Sequence, residues 1–155
     1  TYGFRSSEVA QLTLDDVDWE RERIRVHRPK RRQDQEYPLI HSIGAAIVRY
    51  LKEVRPRTSR REIFLTLRAP FRPLSTGTMY RVVSSRMAKL GITSLHQGPH
   101  SLRHACAGHL VEEGFSLKEI GDHLGHRSTY STRTYAKVDL PGLREVASFD
   151  LGDLL

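Results

Sequence analysis

The sequence predicts an α+β domain that is mainly α-helical, with a small antiparallel three-stranded sheet. Apolar residues recur at helical spacing in several segments, and one short segment alternates apolar with basic side chains, as strands do. No internal repeat or low-complexity segment is visible. A chain of 155 residues with 38% hydrophobic residues is long enough to form one domain with a sizeable core.

A short helix and a β-hairpin are predicted in the first forty residues. Val9 and Leu12 form an apolar pair at i, i+3 spacing, which indicates a helix. Ile24 and Val26 alternate with basic side chains, which is typical of a strand. Residues 36–40 ("EYPLI") can pair back with this strand, and Pro38 limits them to a sheet edge or a strand end.

Further helices and one more strand follow. Residues 42–54 and 76–90 have helical periodicity, and residues 62–67 ("EIFLTL") are the candidate third strand. A buried apolar stripe is predicted in the next helix at Leu102, Cys106 and Leu110. Gly114 then fits a C-terminal cap, and "SLKE" from Ser116 is a capping box that starts another helix. Two short helices are expected beyond Gly125.

Composition limits the function. Lys plus Arg exceed Asp plus Glu by 25 to 18, a formal net charge of +7, which indicates a polyanion as partner. The sequence contains no run of about 18 apolar residues, so it predicts no membrane-spanning helix. Cys106 is the single cysteine, so that an internal disulfide and a cysteine-based zinc cluster are excluded and a cytoplasmic location is expected.

Histidines and an arginine crowd the segment that begins at His100. His100 and Arg103 are three residues apart, and His104 is within reach of His100 at i, i+4 spacing. A zinc site with His123 or His126 as a further ligand is one interpretation, although a neighbouring arginine disfavours a bound cation. Ordinary hydrogen-bonded histidines are another interpretation.

The order of these motifs resembles the tyrosine recombinases of the phage integrase family. That family carries an arginine in a Gly-Leu-Arg-x-Ser-Glu-like box, a lysine in a β-hairpin, His-x-x-Arg, Leu-Gly-His, and a tyrosine nine residues later. The matching residues here are Arg5, Lys30, His100, Arg103, His126 and Tyr135. Phe4 replaces the usual leucine, and the hairpin holds one extra residue before Lys30. Tyr130 competes with Tyr135 as nucleophile, but the family spacing selects Tyr135.

The resemblance implies the catalytic-domain fold of tyrosine recombinases and a site-specific recombinase or integrase activity through a 3′-phosphotyrosine intermediate. It implies Tyr135 as nucleophile and Lys30 as general acid, with no cofactor, no metal and no small-molecule substrate. The expected partners are double-stranded DNA, contacted by Arg28, Arg31 and Arg32, and further copies of the chain in a homo-tetramer. Residues 1–155 are then expected to be a C-terminal catalytic domain without its N-terminal core-binding domain.

Two other functions use the same features. A type IB topoisomerase would nick and reseal one duplex with similar residues. A catalytically silent DNA-binding module would keep the fold and the basic charge without the reaction.

Overall fold

The structure, a computed structural model, describes residues 1–28, 33–92 and 97–126. These residues form five helices and three strands, which agrees with the predicted α+β class. The bounds are α1 Ser6–Gln11, β1 Val17–Asp18, β2 Arg23–Arg28, β3 Gln33–Pro38, α2 His41–Glu53, α3 Thr76–Lys89, α4 Pro99–Glu112 and α5 Leu117–Leu124. A 3₁₀ turn at Leu14–Asp16 precedes β1. The helices expected beyond Gly125 lie outside the described residues.

The chain divides into two compact units. The sheet unit is Ser6–Met79, and the helical unit is Thr1–Arg5 together with Tyr80–Leu155. No helix within the described residues is long and apolar enough to cross a membrane.

The sheet unit contains an antiparallel sheet in the order β1-β2-β3. Exposed and buried side chains alternate along β2, where Ile24 and Val26 are 2% and 1% exposed. The alternation therefore predicted this strand and its buried face correctly. Arg28 and Gln33 are the last paired residues of the hairpin, so residues 29–32 join its two strands. Strand β3 ends at Pro38. Proline lacks an N–H group, and at the end of a strand this removes no hydrogen bond from the middle of the sheet.

The third strand is β1, and the prediction of a strand at residues 62–67 was wrong. This segment forms only isolated bridges. The Arg55 side chain donates to the main-chain oxygens of Glu62 and Ile63 at 3.0 and 3.1 Å, so these acceptors serve a side chain instead of a ladder. Ile63 and Leu65 are still core residues, at 0% and 1% exposure, which explains why the segment is as apolar as a strand.

Helix α4 buries part of the predicted stripe: Cys106 is buried and Leu110 packs against the same core cluster, but Leu102 does not. Leu102 is 45% exposed, whereas the neighbouring Arg103 is 5% exposed. Most other buried residues of the helix are small: Ser101, Ala105, Cys106, Ala107 and Gly108. Hydrophobic spacing therefore marked only part of the buried face, because the rest of that face consists of small side chains and one arginine.

Helix α5 begins at the predicted capping box and ends at Gly125. Ser116 Oγ accepts a hydrogen bond from the Glu119 N–H, and the Glu119 carboxylate accepts one from the Ser116 N–H at 2.8 Å. Gly125 caps the other end in the left-handed conformation, with φ of 67°. Ile120 and Leu124 are fully buried and pack in one cluster with Cys106 and Ala107 of α4. This packing fixes the C-terminal end of α5, which Gly125 and His126 directly follow.

Candidate active site

The C-terminal end of α5 binds two arginines that are distant in sequence. Arg5 donates from Nη2 to the carbonyl of Gly125 at 3.0 Å. Arg103 donates from Nη2 to the carbonyl of Leu124 at 2.7 Å. The last carbonyls of a helix have no partner inside the helix and lie at the negative end of its dipole, so they bind cations well. Adjacent carbonyls thus bring both predicted catalytic arginines to one helix end.

Arg103 is also held by the N-terminal segment. Its Nη1 donates to the carbonyl of Gly3 at 2.6 Å. Gly3 has φ of 64°, and a Cβ atom at this position would lie 2.6 Å from Cδ2 of Leu124. Only glycine allows this close approach. The sequence analysis did not single out Gly3, although it is the first residue of the "GFRSSE" motif.

His126 directly follows the capping glycine. Its main-chain N–H donates to the carbonyl of Gly121 at 2.8 Å, and the residue is 8% exposed. Arg5, Arg103 and His126 are therefore three of the six predicted catalytic residues that the structure brings to the end of α5.

Further contacts fix the segment that carries Arg5. The ring Nε2 of His123 lies 3.1 Å from the carbonyl of Tyr2, and the Cys106 thiol donates to the carbonyl of Thr1 at 3.0 Å. Burial raises the pKa of the Cys106 thiol, which keeps the sulfur protonated. Cys106 therefore has a packing role, as predicted, and is not a candidate nucleophile.

His100 lies one helical turn before Arg103 on α4. Its side chain is exposed, and its Nε2 is 2.9 Å from Nε2 of His104, with the two rings perpendicular. A hydrogen bond between two imidazoles needs an N–H on one ring and a lone pair on the other. One of the two facing nitrogens therefore donates and the other accepts, so that His104 is a hydrogen-bond partner of His100.

The zinc interpretation finds no ligand set in the part of the chain that the structure describes. Over residues 1–28, 33–92 and 97–126, no group of three or more His, Cys, Asp or Glu side chains is arranged to hold a metal ion. His123, one of the candidate ligands, instead faces a main-chain carbonyl.

Arg28 is placed differently from the prediction. Its guanidinium donates to the Tyr37 hydroxyl, its Nε lies 3.9 Å from Glu8 Oε1, and the residue is 5% exposed. A side chain enclosed in the sheet unit does not present its charge on the surface. The prediction of Arg28 as a surface contact is therefore corrected: Arg28 anchors the end of β2. Lys30, Arg31, Arg32 and Tyr135 lie outside the described residues.

Comparison with known proteins gives one consistent result. The profile of the phage integrase family matches residues 1–140. The Sinorhizobium fredii protein y4gC, named as a candidate integrase/recombinase, is 40% identical over 95% of this chain and 76% of that protein. A second protein of that organism with the same description, y4rA, is 44% identical over 94% of this chain and 35% of that protein.

Solved structures agree with these sequence matches. The crystal structure of XerA recombinase superposes with a TM-score of 0.76 at 26% identity, over 95% of this chain and 52% of that chain. A post-cleavage complex of XerH site-specific recombinase with palindromic difH substrate gives a TM-score of 0.75 at 25% identity, over 96% and 42%. The chain thus spans about half of the XerA structure and about a third of y4rA. By its motifs, its fold and these matches, the chain belongs to the phage integrase family.

Proposed function

We propose that this chain cleaves and rejoins DNA strands as a site-specific recombinase or integrase. The observation that carries the proposal is the meeting of Arg5 and Arg103 at the end of α5, directly before His126. Planar guanidinium groups bind two oxygens at once and suit the non-bridging oxygens of a phosphodiester. The names of the relatives and the post-cleavage XerH complex support the same reaction.

Tyr135 is the proposed nucleophile. Its phenolic oxygen forms a bond to the phosphorus, the bond from phosphorus to the 5′ oxygen breaks, and that oxygen takes a proton and leaves as a hydroxyl. The product is a 3′-phosphotyrosine that retains the energy of the broken ester. A 5′-hydroxyl can therefore reverse the reaction and rejoin a strand without an external energy source.

The residues at the end of α5 stabilise the charge that develops on the phosphate. Arg5 and Arg103 bind the non-bridging oxygens, and each preorganised donor of this kind contributes about 10²–10³ in rate. His126 donates to the same phosphate. His100 either accepts the proton of Tyr135 or donates to the phosphate.

Lys30 is the proposed general acid. An alkoxide is a poor leaving group, and protonation of the leaving oxygen by a positioned acid contributes about 10²–10⁴ in rate. The buried contacts of Arg28 hold the chain two residues before Lys30.

Double-stranded DNA is the proposed substrate, and the net charge of +7 supports this assignment. Arg31 and Arg32 are the proposed phosphate contacts of the hairpin, and Arg28 supports them from inside the sheet unit. The proposed assembly is a homo-tetramer that holds two duplexes, and the proposed location is the cytoplasm.

A covalent trapping experiment tests the proposal. DNA of random sequence is incubated with the chain, covalent adducts are isolated under denaturing conditions, and the attached DNA is sequenced to find the cleaved site. A nicked suicide substrate is then built on that site. We expect the unchanged chain and Tyr130→Phe to form the adduct and Tyr135→Phe to form none.

The outcomes separate the possible functions. An adduct in Tyr135→Phe would contradict the nucleophile assignment, and the absence of any adduct with the unchanged chain would show a silent DNA-binding module. Strand exchange between two cleaved sites indicates a recombinase, whereas relaxation of supercoils without exchange indicates a topoisomerase.

A further inference from the structure

His27 lies between two carboxylates that come from different elements of the sheet unit. Its Nδ1 is 2.7 Å from Asp34 Oδ1 on β3, and its Nε2 is 2.9 Å from Asp16 Oδ1 in the 3₁₀ turn. An ionised carboxylate only accepts hydrogen bonds, so both ring nitrogens must carry a hydrogen. We name these three residues the His27 clasp, and it is complete when His27 is an imidazolium.

Asp16 gives the clasp a fixed end. The residue is 4% exposed, and its Oδ2 accepts hydrogen bonds from both the N–H and the hydroxyl of Thr13, each at 2.8 Å. One carboxylate oxygen thus holds the turn and the other holds His27. The clasp therefore joins the hairpin to the 3₁₀ turn that precedes β1 through the buried Asp16, in addition to joining two strands.

The clasp lies close in sequence to the connection of the hairpin. His27 and Asp34 are a directly paired position, and only the Arg28–Gln33 pair separates them from residues 29–32. Lys30 is the third residue after His27 in the sequence. The clasp therefore fixes a pair of strand residues close in sequence to Lys30 on both sides.

We propose that the His27 clasp is a positioning device that holds the hairpin so that Lys30 reaches the leaving 5′ oxygen. The inference rests on the proposed role of Lys30 as general acid. His27, Asp16 and Asp34 are positioning residues in this scheme and do not touch DNA. The hydrogen bond to Asp34 raises the pKa of His27, with a further contribution from Asp16, which supports the imidazolium form. Asp34 from β3 and Asp16 from the 3₁₀ turn are the charged groups that face the ring in the described structure.

The same face of the hairpin provides a matched control. Arg25 and Glu36 form a cross-strand pair at 3.6 Å. The side chain of Glu36 is 56% exposed and that of Asp34 is 52% exposed, and both are on β3. In the described contacts, Glu36 joins strand to strand only, whereas Asp34 shares its partner with the buried Asp16. Glu36→Ala and Asp34→Ala each remove one half-exposed carboxylate from β3. Only Asp34→Ala is expected to loosen the His27 clasp.

The test compares two suicide DNA substrates of the same trapped sequence. One has the natural 5′ oxygen at the cleaved bond, and the other has sulfur there, which leaves without being protonated. Single-turnover rates of adduct formation are measured for the unchanged chain, Asp34→Ala, His27→Gln, Glu36→Ala and Lys30→Ala. DNA affinity and thermal unfolding are measured for the same proteins.

We expect Asp34→Ala and His27→Gln to slow cleavage of the oxygen substrate about tenfold, a fraction of what a general acid contributes. On the sulfur substrate both variants should return to within about twofold of the unchanged chain. Glu36→Ala should match the unchanged chain on both substrates. If Asp34→Ala unfolds, His27→Gln, which keeps one side-chain N–H donor, provides the same comparison.

Equal slowing of the clasp variants on both substrates, or no slowing on the oxygen substrate, would overturn the inference. Lys30→Ala separates this result from failure of the underlying assignment. If Lys30→Ala recovers on sulfur and the clasp variants do not, only the clasp inference fails. If Lys30→Ala is slowed equally on both substrates, Lys30 is not the general acid and the two proposals fail together.

Discussion

The end of α5 and the end of the β2–β3 hairpin hold their functional residues in different ways. At α5, Arg5 and Arg103 donate to main-chain carbonyls. At the hairpin, the His27 clasp and the buried Arg28 depend on ionisable or hydroxyl side chains. Carbonyls keep the same charge at every pH, whereas carboxylates and imidazoles gain and lose protons.

This difference matches the chemical tasks proposed for the two regions. Residues that bind a phosphate need a constant positive charge throughout the reaction, and arginines on carbonyl anchors provide it. A general acid must exchange a proton in every cycle and needs a position that suits that transfer. The comparison therefore predicts the largest rate effects at α5, and at the hairpin stability and pH effects beside the smaller rate effects expected for the clasp.

The largest expected effect is at Arg103. Arg103→Ala removes the hydrogen bonds to Gly3 and Leu124 together with one proposed phosphate ligand. We expect adduct formation to fall by at least about 10²–10³ in single-turnover assays. Arg103→Lys should not restore it, because an ammonium group cannot reproduce the planar fork. A rate for Arg103→Lys within about tenfold of the unchanged chain would contradict the proposed role.

The next effect concerns stability and is expected at Arg28. Arg28→Ala leaves the buried Glu8 without this cation, and removing one partner of a buried pair costs about 3–5 kcal/mol of unfolding free energy. Urea denaturation measures this loss. The double variant Glu8→Ala with Arg28→Ala should lose less than the sum of the single losses. Arg25→Ala, which removes an exposed pair, is the control and should cost at most about 1 kcal/mol.

The smallest effect is the pH dependence of the His27 clasp. Asp34 and Asp16 raise the pKa of His27 above its unfolded value of 6.5. The stability from the clasp is therefore complete below the unfolded pKa and is lost as the pH rises through the folded pKa.

Thermal unfolding at several pH values measures this effect. Because the His27 side chain is 50% exposed, we expect at most about 1 kcal/mol, or about 2–4 °C in Tm. The Tm difference between the unchanged chain and Asp34→Ala should shrink as the pH increases. The difference for Glu36→Ala should stay constant, and a difference for Asp34→Ala that grows with pH would contradict the clasp.

Local signals in the sequence predicted much of the fold. Alternation identified β2, and the capping box identified the start of α5. These two predictions succeeded because each depends on a few neighbouring residues. Motif order singled out Arg5, Arg103 and His126, which the structure brings to one helix end, and their catalytic roles stay predictions.

The predictions that failed depend on contacts between distant residues. Hydrophobic spacing predicted Leu102 of α4 to be buried, but Arg103 is buried instead and donates to the carbonyls of Gly3 and Leu124. Residues 62–67 are apolar enough for a strand, but Arg55 occupies two of their carbonyls. Arg28 has the same local sequence character as its basic neighbours, and only the fold shows that Tyr37 and Glu8 enclose it.

The main-chain anchors of Arg5 and Arg103 also affect mutational tolerance. Every amino acid supplies the same carbonyl oxygen, so side chains around this helix end can drift without removing either anchor. The constraint falls instead on backbone shape, at the two glycines with positive φ, Gly3 and Gly125. At positions other than the proposed phosphate ligands Arg5, Arg103 and His126, saturation mutagenesis of this helix end would therefore select for chain conformation more strongly than for side-chain chemistry.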